Sequence, residues 1–292
     1  KFDALPEPEA TGTSSFVSIM EGCSKYCSFC VVPYTRGDEV SRKPEQIFDE
    51  VARLIEQGVS EIIFVGQNVN SYQYTLDGRV LRLSDLIEVC GSIDGVHRIR
   101  YTTSHPLDMT DDLINVYSHV PQLVSHLHLP VQSGSNEILT KMKRNYSREQ
   151  YIEIIEKLLI VRPNIKISSD FIVGFPGESS HDFQLTMDLI ETVKFDASFS
   201  FIYSPRPGTP AAKLEDSTPL AEKKERLNIL QTRVDELQTH YSNNLAGTIQ
   251  RCLVTGVSKK NIHQLQARTE CNRVVNFDFQ NINILGKLVD IN

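Results

Sequence analysis

The stretch FVSIMEGCSKYCSFC, residues 16–30, places three cysteines directly behind a short β pattern. Apolar residues dominate positions 16–20, which predicts a strand. Cys23, Cys27 and Cys30 follow at once, so their loop lies at the carboxyl end of that strand. In parallel α/β sheets the chemistry collects at this end. The stretch therefore predicts both an α/β fold and the position of its site.

Three clustered thiols indicate metal binding rather than disulfide bonding. The chain has six cysteines, and without a secretory signal such clustering favours a metal site in a reducing compartment. Structural zinc normally takes four protein ligands, whereas three thiolates on a 4Fe-4S cluster leave one iron open. A structural zinc ion or a redox-inert cluster is the alternative. The other cysteines are scattered: Cys90, Cys252 and Cys271.

Six predicted strands alternate with five predicted helices between residues 15 and 204. The strands are 16–20, 61–66, 99–103, 126–131, 166–173 and 197–203, and the helices are 44–57, 83–90, 110–118, 147–161 and 179–193. Such alternation implies a parallel sheet, and right-handed crossovers curl it into a barrel or an open part-barrel. The predicted fold class is thus a partial (β/α)6 parallel barrel.

A different pattern follows the proline-rich stretch 205–210. Residues 219–243 carry one apolar stripe at helical spacing, which predicts packing against the body of the chain. Short β runs then suggest a small β-barrel. We divide the chain into a linker from a missing N-terminal domain (1–14), a barrel (15–210), a linking helix (211–245) and a β domain that is truncated at its end (246–292).

The charge balance excludes a wholly basic nucleic-acid binder, because the net charge is −7. Residues 246–292 nevertheless carry six Lys or Arg against three acids. This +3 tail on a −10 body suggests an RNA-facing domain, with an ordinary basic surface as the alternative. We find no eighteen-residue apolar stretch and no signal peptide, and we expect a cytoplasmic monomer without membrane contact.

Polar side chains follow several of the predicted strands and are candidates for ligand contact. Those at the second and fourth strand ends are Gln67, Asn68, Asn70, Gln132, Ser133 and Ser135. Turn formation is the alternative for the asparagines. Arg144 either pairs with a carboxylate ligand or is an exposed helix-end residue. Asp170, costly in an apolar strand, contacts a ligand or anchors a loop, and Gly174 lets the backbone approach a ligand.

Alternation gives the fourth strand a polar face with His126 and His128 and an apolar face with Leu127 and Leu129. The apolar face should meet the helices, and the polar face should point into the barrel. We expect His126 to be a satisfied core residue and leave His128 open.

Longer motifs identify a resemblance. The spacing Cys-x3-Cys-x-aromatic-Cys, with Phe29 as the aromatic residue, is similar to the signature of the radical S-adenosylmethionine superfamily. The surrounding sequence resembles that of the bacterial tRNA methylthiotransferases of the MiaB type. The resembling segments are IMEGCSKYCSFCVVPYTRG (19–37), VGQNVN (65–70), HLPVQSGS (128–135), DFIVGFPGE (170–178) and RTECNRVVNF (268–277), the last similar to the TRAM RNA-binding domain.

The resemblance implies a 4Fe-4S cluster on the three cysteines, with S-adenosylmethionine on the open iron. It implies cofactor contact by Phe29 and by the polar candidates above. The implied reaction replaces the hydrogen on carbon 2 of N6-isopentenyladenosine with a methylthio group. The implied partners are the tRNA anticodon stem-loop and an electron donor such as flavodoxin. RNA contact is assigned to Arg36, Lys259, Lys260, Arg268 and Arg273, and base stacking to Tyr34, Phe175 or Tyr203.

The sequence departs from that family in one respect. Methylthiotransferases carry an N-terminal domain whose three cysteines bind a second 4Fe-4S cluster, and nothing before Phe16 matches it. We therefore expect this chain to cleave S-adenosylmethionine without inserting sulfur. Two alternative functions are also compatible with the sequence. One is methylthiolation of threonylcarbamoyladenosine or of a ribosomal-protein aspartate, and the other is that of a non-catalytic RNA-binding protein with a structural cluster.

Overall fold

The computed structural model describes residue 2, residues 7–278 and residues 282–292. Part of the predicted linker 1–14 lies outside this range. The elements in chain order are β1 (Ser14–Ser18), β2 (Met20–Glu21), α1 (Val32–Arg36), β3 (Val40–Ser41), α2 (Pro44–Glu56), β4 (Glu61–Val65), β5 (Gln73–Leu76), β6 (Arg79–Arg82), α3 (Leu83–Gly91), β7 (Arg98–Tyr101), α4 (Asp111–His119), β8 (His126–His128), α5 (Asn136–Lys141), α6 (Arg148–Val161), β9 (Lys166–Val173), α7 (Ser180–Val193), β10 (Ala197–Ile202), α8 (Leu220–Asn243), β11 (Gln250–Val257), β12 (Gln264–Arg268), β13 (Val274–Asp278) and β14 (Leu288–Ile291).

Six parallel strands form the central sheet, and this confirms the predicted partial (β/α)6 barrel. They pair as two groups of three, in the orders β1-β4-β7 and β8-β9-β10. A parallel bridge between Ile99 and Leu123 joins the groups. Within the described residues β1 and β10 each have one paired neighbour, so they are the two edges of an open barrel.

Alternation along the strands separates a core face from an interior face. Val17, Phe64 and Leu127 are fully or almost fully buried and belong to the main hydrophobic core beneath the helices. The residues directly before and after them point into the barrel, because successive side chains of a strand lie on opposite faces. On β8 the predicted split is confirmed, because Leu127 and Leu129 are buried while the two histidines line the interior cavity.

Helices α6 and α7 begin at a capping box that the sequence provides. Ser147 and Ser179 each accept a bond from the backbone of the third helical residue, and the side chain there returns the bond. Each such cap stabilises a helix by about 1 kcal/mol. Pro44 occupies the first position of α2, where a missing N–H costs nothing.

The structure also contains a hairpin and two short helices that we did not predict, and one predicted strand is shorter than expected. The predicted strand 126–131 ends at His128, because Pro130 has no N–H and Gln132 has a φ of 77°. A hairpin joins β5 to β6 around Asp77 and Gly78, which both have positive φ. Helices α1 and α5 have five and six residues, too short for a helical period to be recognised in sequence.

The C-terminal strands form an antiparallel sheet in the order β13-β12-β11-β14. Cys252, Val254, Leu265 and Ala267 form its own small core. This sheet agrees with the predicted small β domain of TRAM type. Helix α8 precedes it, and the predicted apolar stripe is buried at Leu230, Val234 and Leu237.

The β domain docks against the amino-terminal ends of the barrel strands. Arg98 donates to the carbonyls of Arg268 and Arg251, at 2.7 and 2.5 Å. Arg100 donates to the carbonyls of Glu270 and Thr269. The cysteine loop lies at the opposite, carboxyl ends. Of the described helices, none combines the length and apolar character needed to cross a bilayer.

Candidate metal and cofactor site

The cysteine loop is anchored on both sides by backbone hydrogen bonds. The Cys23 N–H donates to the carbonyl of Gly37 at 3.1 Å. Further along, the Ser28 N–H donates to the carbonyl of Met142, and the Ser28 hydroxyl donates to that of Lys141 at 2.7 Å. The loop is therefore fixed to the turn after α1 at one end and to α5 at the other.

Gly22 makes this anchoring possible. Its φ is +84°, and a Cβ atom there would lie 2.1 Å from the carbonyl oxygen of Asp38. No L side chain fits such a position. The Gly22 N–H also donates to Oε1 of Gln67 at 2.7 Å, which ties the loop to the end of β4.

The three thiols share one environment that suits an iron–sulfur cluster. Burial raises the pKa of the Cys23 thiol to about 11 and also raises the pKa of Cys30. Cys27 and Cys30 are close enough to Cys23 to raise its pKa further. The Cys23 and Cys30 thiols are thus protonated at neutral pH until a metal displaces their protons.

A buried cation adds to this donor set. The Arg144 guanidinium lies 3.4 Å from the Cys27 Sγ, which accepts a hydrogen bond from Nη1. The same guanidinium partly offsets the rise that burial causes in the pKa of the Cys30 thiol. Among the described residues, no three His, Cys, Asp or Glu side chains converge on one point as ligands of a single ion do. Three thiolates leave one iron of a 4Fe-4S cluster without a protein ligand, whereas structural zinc normally takes four protein ligands.

The alternative that Arg144 is an exposed residue at the end of a helix is wrong. It is 5% exposed, and its other donors reach the Tyr146 hydroxyl at 3.0 Å and the Pro130 carbonyl at 2.8 Å. The Tyr146 hydroxyl in turn donates to the carbonyl of Val131. This network fixes the guanidinium beside the cysteine loop, and pairing with a cofactor carboxylate stays a prediction.

Side-chain amides after β4 connect loops at the mouth of the barrel, where the carboxyl ends of the strands lie. Asn70 donates to the carbonyl of His105 and accepts from its N–H, both at 2.8 Å. The Asn68 amide donates to Glu39 and to Asp108. Lys25 completes this cluster with a salt bridge of 2.7 Å to Asp108. Gln67, Asn68 and Asn70 thus lie where we predicted, and they already have protein partners.

The candidates after β8 and β9 have similar structural contacts. Ser135 caps α5 and donates to Asp182 of α7, and Ser133 lies 3.4 Å from the Thr186 hydroxyl. Gln132 is buried, and its backbone follows β9 by bonding to Asp170 and Ile172. Gly174 has a φ of +64°, and its N–H donates to the buried Glu178.

Phe29 and two of the predicted stacking residues belong to a small apolar cluster instead of a free surface. Phe175 and Tyr203 are buried there with ring centroids 5.0 Å apart, and Phe29 packs against them. Tyr34 alone of the predicted stacking set is well exposed.

Several buried polar atoms at the mouth have no hydrogen-bond partner among the residues that the structure describes. They are Asn68 Oδ1, Ser104 Oγ, His105 Nε2 and Tyr203 OH, and all follow the carboxyl end of a strand. Burial lowers the pKa of His105 to about 2, with Arg144 as a second cause. We did not predict Ser104 and His105, although the polar run 102–105 directly after the third predicted strand was a signal for them. Such orphaned atoms suit a polar ligand.

A cavity of about 600 Å³ lies inside the barrel. A row of hydrogen bonds crosses its wall: His126 Nε2 lies 3.3 Å from the Ser168 hydroxyl, which lies 2.9 Å from His128 Nδ1. His128 Nε2 pairs with Asp170 at 3.2 Å. His126 therefore has its expected partner, and Asp170 faces the interior. Burial lowers the pKa of His126 to about 3.

The predicted RNA contacts are divided between the two ends of the barrel. Arg36 follows the cysteine loop at the carboxyl ends, 3.4 Å from Glu21. Arg268 and Arg273 line the interior cavity from the β domain, and Arg273 pairs with Asp196. Lys259 and Lys260 are exposed between β11 and β12. The structure does not bring Arg36 together with the basic residues of the β domain.

Comparison with known proteins agrees with this geometry. Residues 17–190 match the sequence profile of the radical SAM superfamily. The chain is 58% identical over 292 residues to the tRNA-2-methylthio-N(6)-dimethylallyladenosine synthase of Haemophilus ducreyi, and it covers 61% of that protein. It is equally similar to the enzyme of the same name from Pseudomonas savastanoi, of which it covers 66%. The chain thus spans less than two thirds of these curated relatives.

Solved structures share the fold at low sequence identity. The radical S-adenosylmethionine methyltransferase TsrM from Kitasatospora setae superimposes with a TM-score of 0.56 at 16% identity, covering 69% of this chain and 39% of its own. The coproporphyrinogen III oxidase of Escherichia coli gives 0.54 at 14% identity, covering 89% and 67%. With its three-cysteine loop at the carboxyl ends of an open parallel barrel, the chain belongs to the radical SAM superfamily.

Proposed function

We propose that this chain is the radical SAM and RNA-binding part of a tRNA methylthiotransferase. The proposed reaction replaces the hydrogen on carbon 2 of N6-isopentenyladenosine, beside the anticodon, with a methylthio group. The observation that carries this proposal is the anchored cysteine loop, in a chain 58% identical along its whole length to enzymes named for that product. The activity of the longer relatives is extended here to this chain.

Superfamily membership implies a 4Fe-4S cluster and S-adenosylmethionine. Cys23, Cys27 and Cys30 would hold the cluster, and the polar atoms at the strand ends would hold the S-adenosylmethionine. When bound, the pair supplies reductive cleavage of a sulfonium bond and hence a carbon-centred radical. We assign cofactor contact to Phe29, Gln67, Asn68, Asn70, Gln132, Ser133, Ser135, Arg144, Asp170 and Gly174.

The chain's own residues would position and shield the reacting groups. Arg144, held by three partners, places a fixed positive charge beside Cys27. The Lys25, Asn68 and Asp108 cluster ties the cysteine loop to the ends of β4 and β7. The buried aromatic cluster around Phe175 excludes water below the loop. A rigid and dry site limits side reactions of a radical.

A second 4Fe-4S cluster and sulfur supply belong, in this proposal, to a further domain such as the longer relatives have room for. RNA contact is assigned to Arg36, Lys259, Lys260, Arg268 and Arg273. We further propose a small electron carrier such as flavodoxin as reductant, and a monomeric, cytoplasmic protein.

The decisive experiment is anaerobic reconstitution of the 292-residue chain with iron and sulfide, followed by dithionite and S-adenosylmethionine. We expect 5′-deoxyadenosine and a broad iron–sulfur absorbance. Cys23→Ala, Cys27→Ala and Cys30→Ala should each abolish both signals. Cys90→Ala is the matched control, because Cys90 is a buried cysteine of the main core. An active wild type that keeps full activity without Cys27 would refute the assigned ligands.

The substrate requires a separate measurement. Mass spectrometry of tRNA nucleosides from a deletion strain should show isopentenyladenosine without its methylthio group. Accumulation of threonylcarbamoyladenosine lacking the group, or loss of a modified ribosomal-protein aspartate, would instead support one of the sibling enzymes. Tight tRNA binding with no 5′-deoxyadenosine from the reconstituted chain would support the hypothesis of a non-catalytic RNA-binding protein with a structural cluster.

A further inference from the structure

Two large aromatic side chains line the barrel cavity without being buried. Phe16 on β1 is 68% exposed and Phe199 on β10 is 62% exposed, and both belong to the cavity wall. Their chain neighbours Val17 and Ser200 are buried, so alternation points both rings to the interior side. Phe201, the next interior position on β10, is 57% exposed. An aromatic wall left open to solvent suits a ligand with an apolar face.

The two phenylalanines flank the opening of the barrel. Strands β1 and β10 are its two edges, and no described strand pairs with both of them. A planar group entering between the edges would therefore meet Phe16 on one side and Phe199 on the other. The cavity volume of about 600 Å³ lies within the usual range for a nucleoside-sized ligand.

The wall beside Phe199 is polar, and its groups are already ordered. The His128 ring contacts Phe199 edge-to-face with centroids 6.0 Å apart. His128 is itself held between Ser168 and Asp170. The cavity thus combines apolar ring faces with fixed donors and acceptors, which is how proteins recognise an unstacked base.

We propose that Phe16 and Phe199 contact the purine base of the substrate and its apolar N6 substituent, and that they determine specificity for the alkylated base. The proposal rests on the proposed function and names the residues that read its substrate. Phenylalanine offers a stacking face and no hydrogen bond, so it favours an alkyl group over the hydrated exocyclic amine of an unmodified adenine. An aspartate side chain, the substrate of one sibling reaction, would gain little from two such faces.

The test compares two anticodon stem-loops that differ only in the isopentenyl group, by fluorescence anisotropy against the reconstituted 292-residue chain. We expect the wild type to prefer the alkylated RNA. Phe16→Ala and Phe199→Ala should each reduce that preference by about tenfold, as expected for losing apolar contact with the alkyl group. Phe199→Leu, which keeps apolar bulk without a ring, should lose affinity for both RNAs and retain part of the preference.

Controls separate this proposal from misfolding and from the proposed function. Ile160→Ala removes a side chain that is 79% exposed on α6 and should change neither affinity. Formation of 5′-deoxyadenosine without RNA should be unchanged in every variant, because none touches the cysteine loop; its absence in the wild type would be a failure of the proposed function. An unchanged preference in both alanine variants, an equal loss for both RNAs, or no preference in an active wild type would overturn the role of the two phenylalanines.

Discussion

At the scale of single residues, Gly22 decides whether the cysteine loop can form. A side chain there would meet the Asp38 carbonyl and would also have to adopt a positive φ. We expect Gly22→Ala to bind much less iron and sulfide after reconstitution, because the loop must move away from its anchor at Gly37. Iron and sulfide analysis per chain measures this directly.

Gly58 is the matched control for that variant. It has a φ of +94°, yet a Cβ atom there would meet nothing within 4 Å. Gly58→Ala therefore introduces the same kind of backbone strain, about 1–2 kcal/mol, without the collision. If both variants lost iron to the same extent, strain alone would account for the loss and the role given to the Asp38 contact would be wrong.

The buried His105 makes the stability of the fold depend on pH. Its pKa is about 2 in the folded chain and about 6.5 when unfolded. Between these values the unfolded state binds the additional proton, so stability falls as the pH drops below about 6.5. From about pH 7.5 to about pH 5.5 this one group should cost about 1.4 kcal/mol.

His105→Asn should remove that part of the loss, since an amide oxygen can replace Nδ1 as acceptor for the Leu107 N–H. Urea unfolding at several pH values gives the slope. His126, whose pKa is also lowered by burial, should keep some slope in the variant. His119→Asn, on the exposed end of α4, controls for the substitution itself. A slope that is the same in wild type and His105→Asn would show that His105 binds its proton equally well in the folded and unfolded states.

At the scale of elements, the β domain is held to the barrel by a few specific contacts. Arg273 makes two hydrogen bonds to the Asp196 carboxylate, at 2.9 and 2.7 Å, and the carboxylate is almost completely buried. We expect Asp196→Ala to leave the Arg273 guanidinium without its carboxylate partner and to destabilise docking by about 3 kcal/mol. Hydrogen exchange should then accelerate in β11 to β14 while the barrel strands keep their protection.

The double variant Asp196→Ala with Arg273→Met isolates the pair from other effects. If the pair is coupled as the geometry indicates, the double variant should be less destabilised than the two single changes added together. Additive effects would mean that the salt bridge contributes nothing to docking.

Elements were predicted well wherever burial imposed a clear period. The six barrel strands and their helices follow the apolar pattern because one face of each is buried, and the boundaries agree within a few residues. The hairpin β5–β6 was missed although Asp77-Gly78 is a strong turn signal, since its strands are largely exposed and only four residues long.

The candidate site was predicted in position more than in contacts. Strand ends place Gln67, Asn68 and Asn70 at the mouth, as expected. Their partners, however, come from loops far along the chain, such as His105 and Asp108, and a single sequence does not specify such pairs. Phe175 was expected to be a stacking surface, but it is fully buried, because the turn after β9 directs it to a cluster that strand periodicity does not reveal.

At the scale of the whole molecule, charge is distributed unevenly between the barrel and the β domain. Several basic residues of the β domain are engaged, since Arg251 pairs with Asp290 and Arg273 with Asp196. Lys259 and Lys260 are exposed on one connection. If they contact RNA phosphates, Lys259→Ala with Lys260→Ala should weaken stem-loop binding and reduce the slope of log affinity against log salt by about 1.5.

The salt titration has its own control in Lys213→Ala with Lys224→Ala, which removes the same charge from the segment between barrel and β domain. An unchanged slope in the first double variant would exclude the 259–260 connection as a phosphate contact. An equal reduction in both would attribute the effect to overall charge.

The division of the barrel strands into two groups has a consequence for binding of the cluster. Within the described residues, backbone hydrogen bonds pair the two groups at the Ile99–Leu123 bridge, and both groups also share the main hydrophobic core. Gly22, beside Cys23, is bonded to Gln67 at the end of β4, whereas Cys27 contacts Arg144, which follows β8. A cluster held between these residues would link the two strand groups, so we expect the chain to be less stable without it. The iron would thus stabilise the fold in addition to taking part in the chemistry.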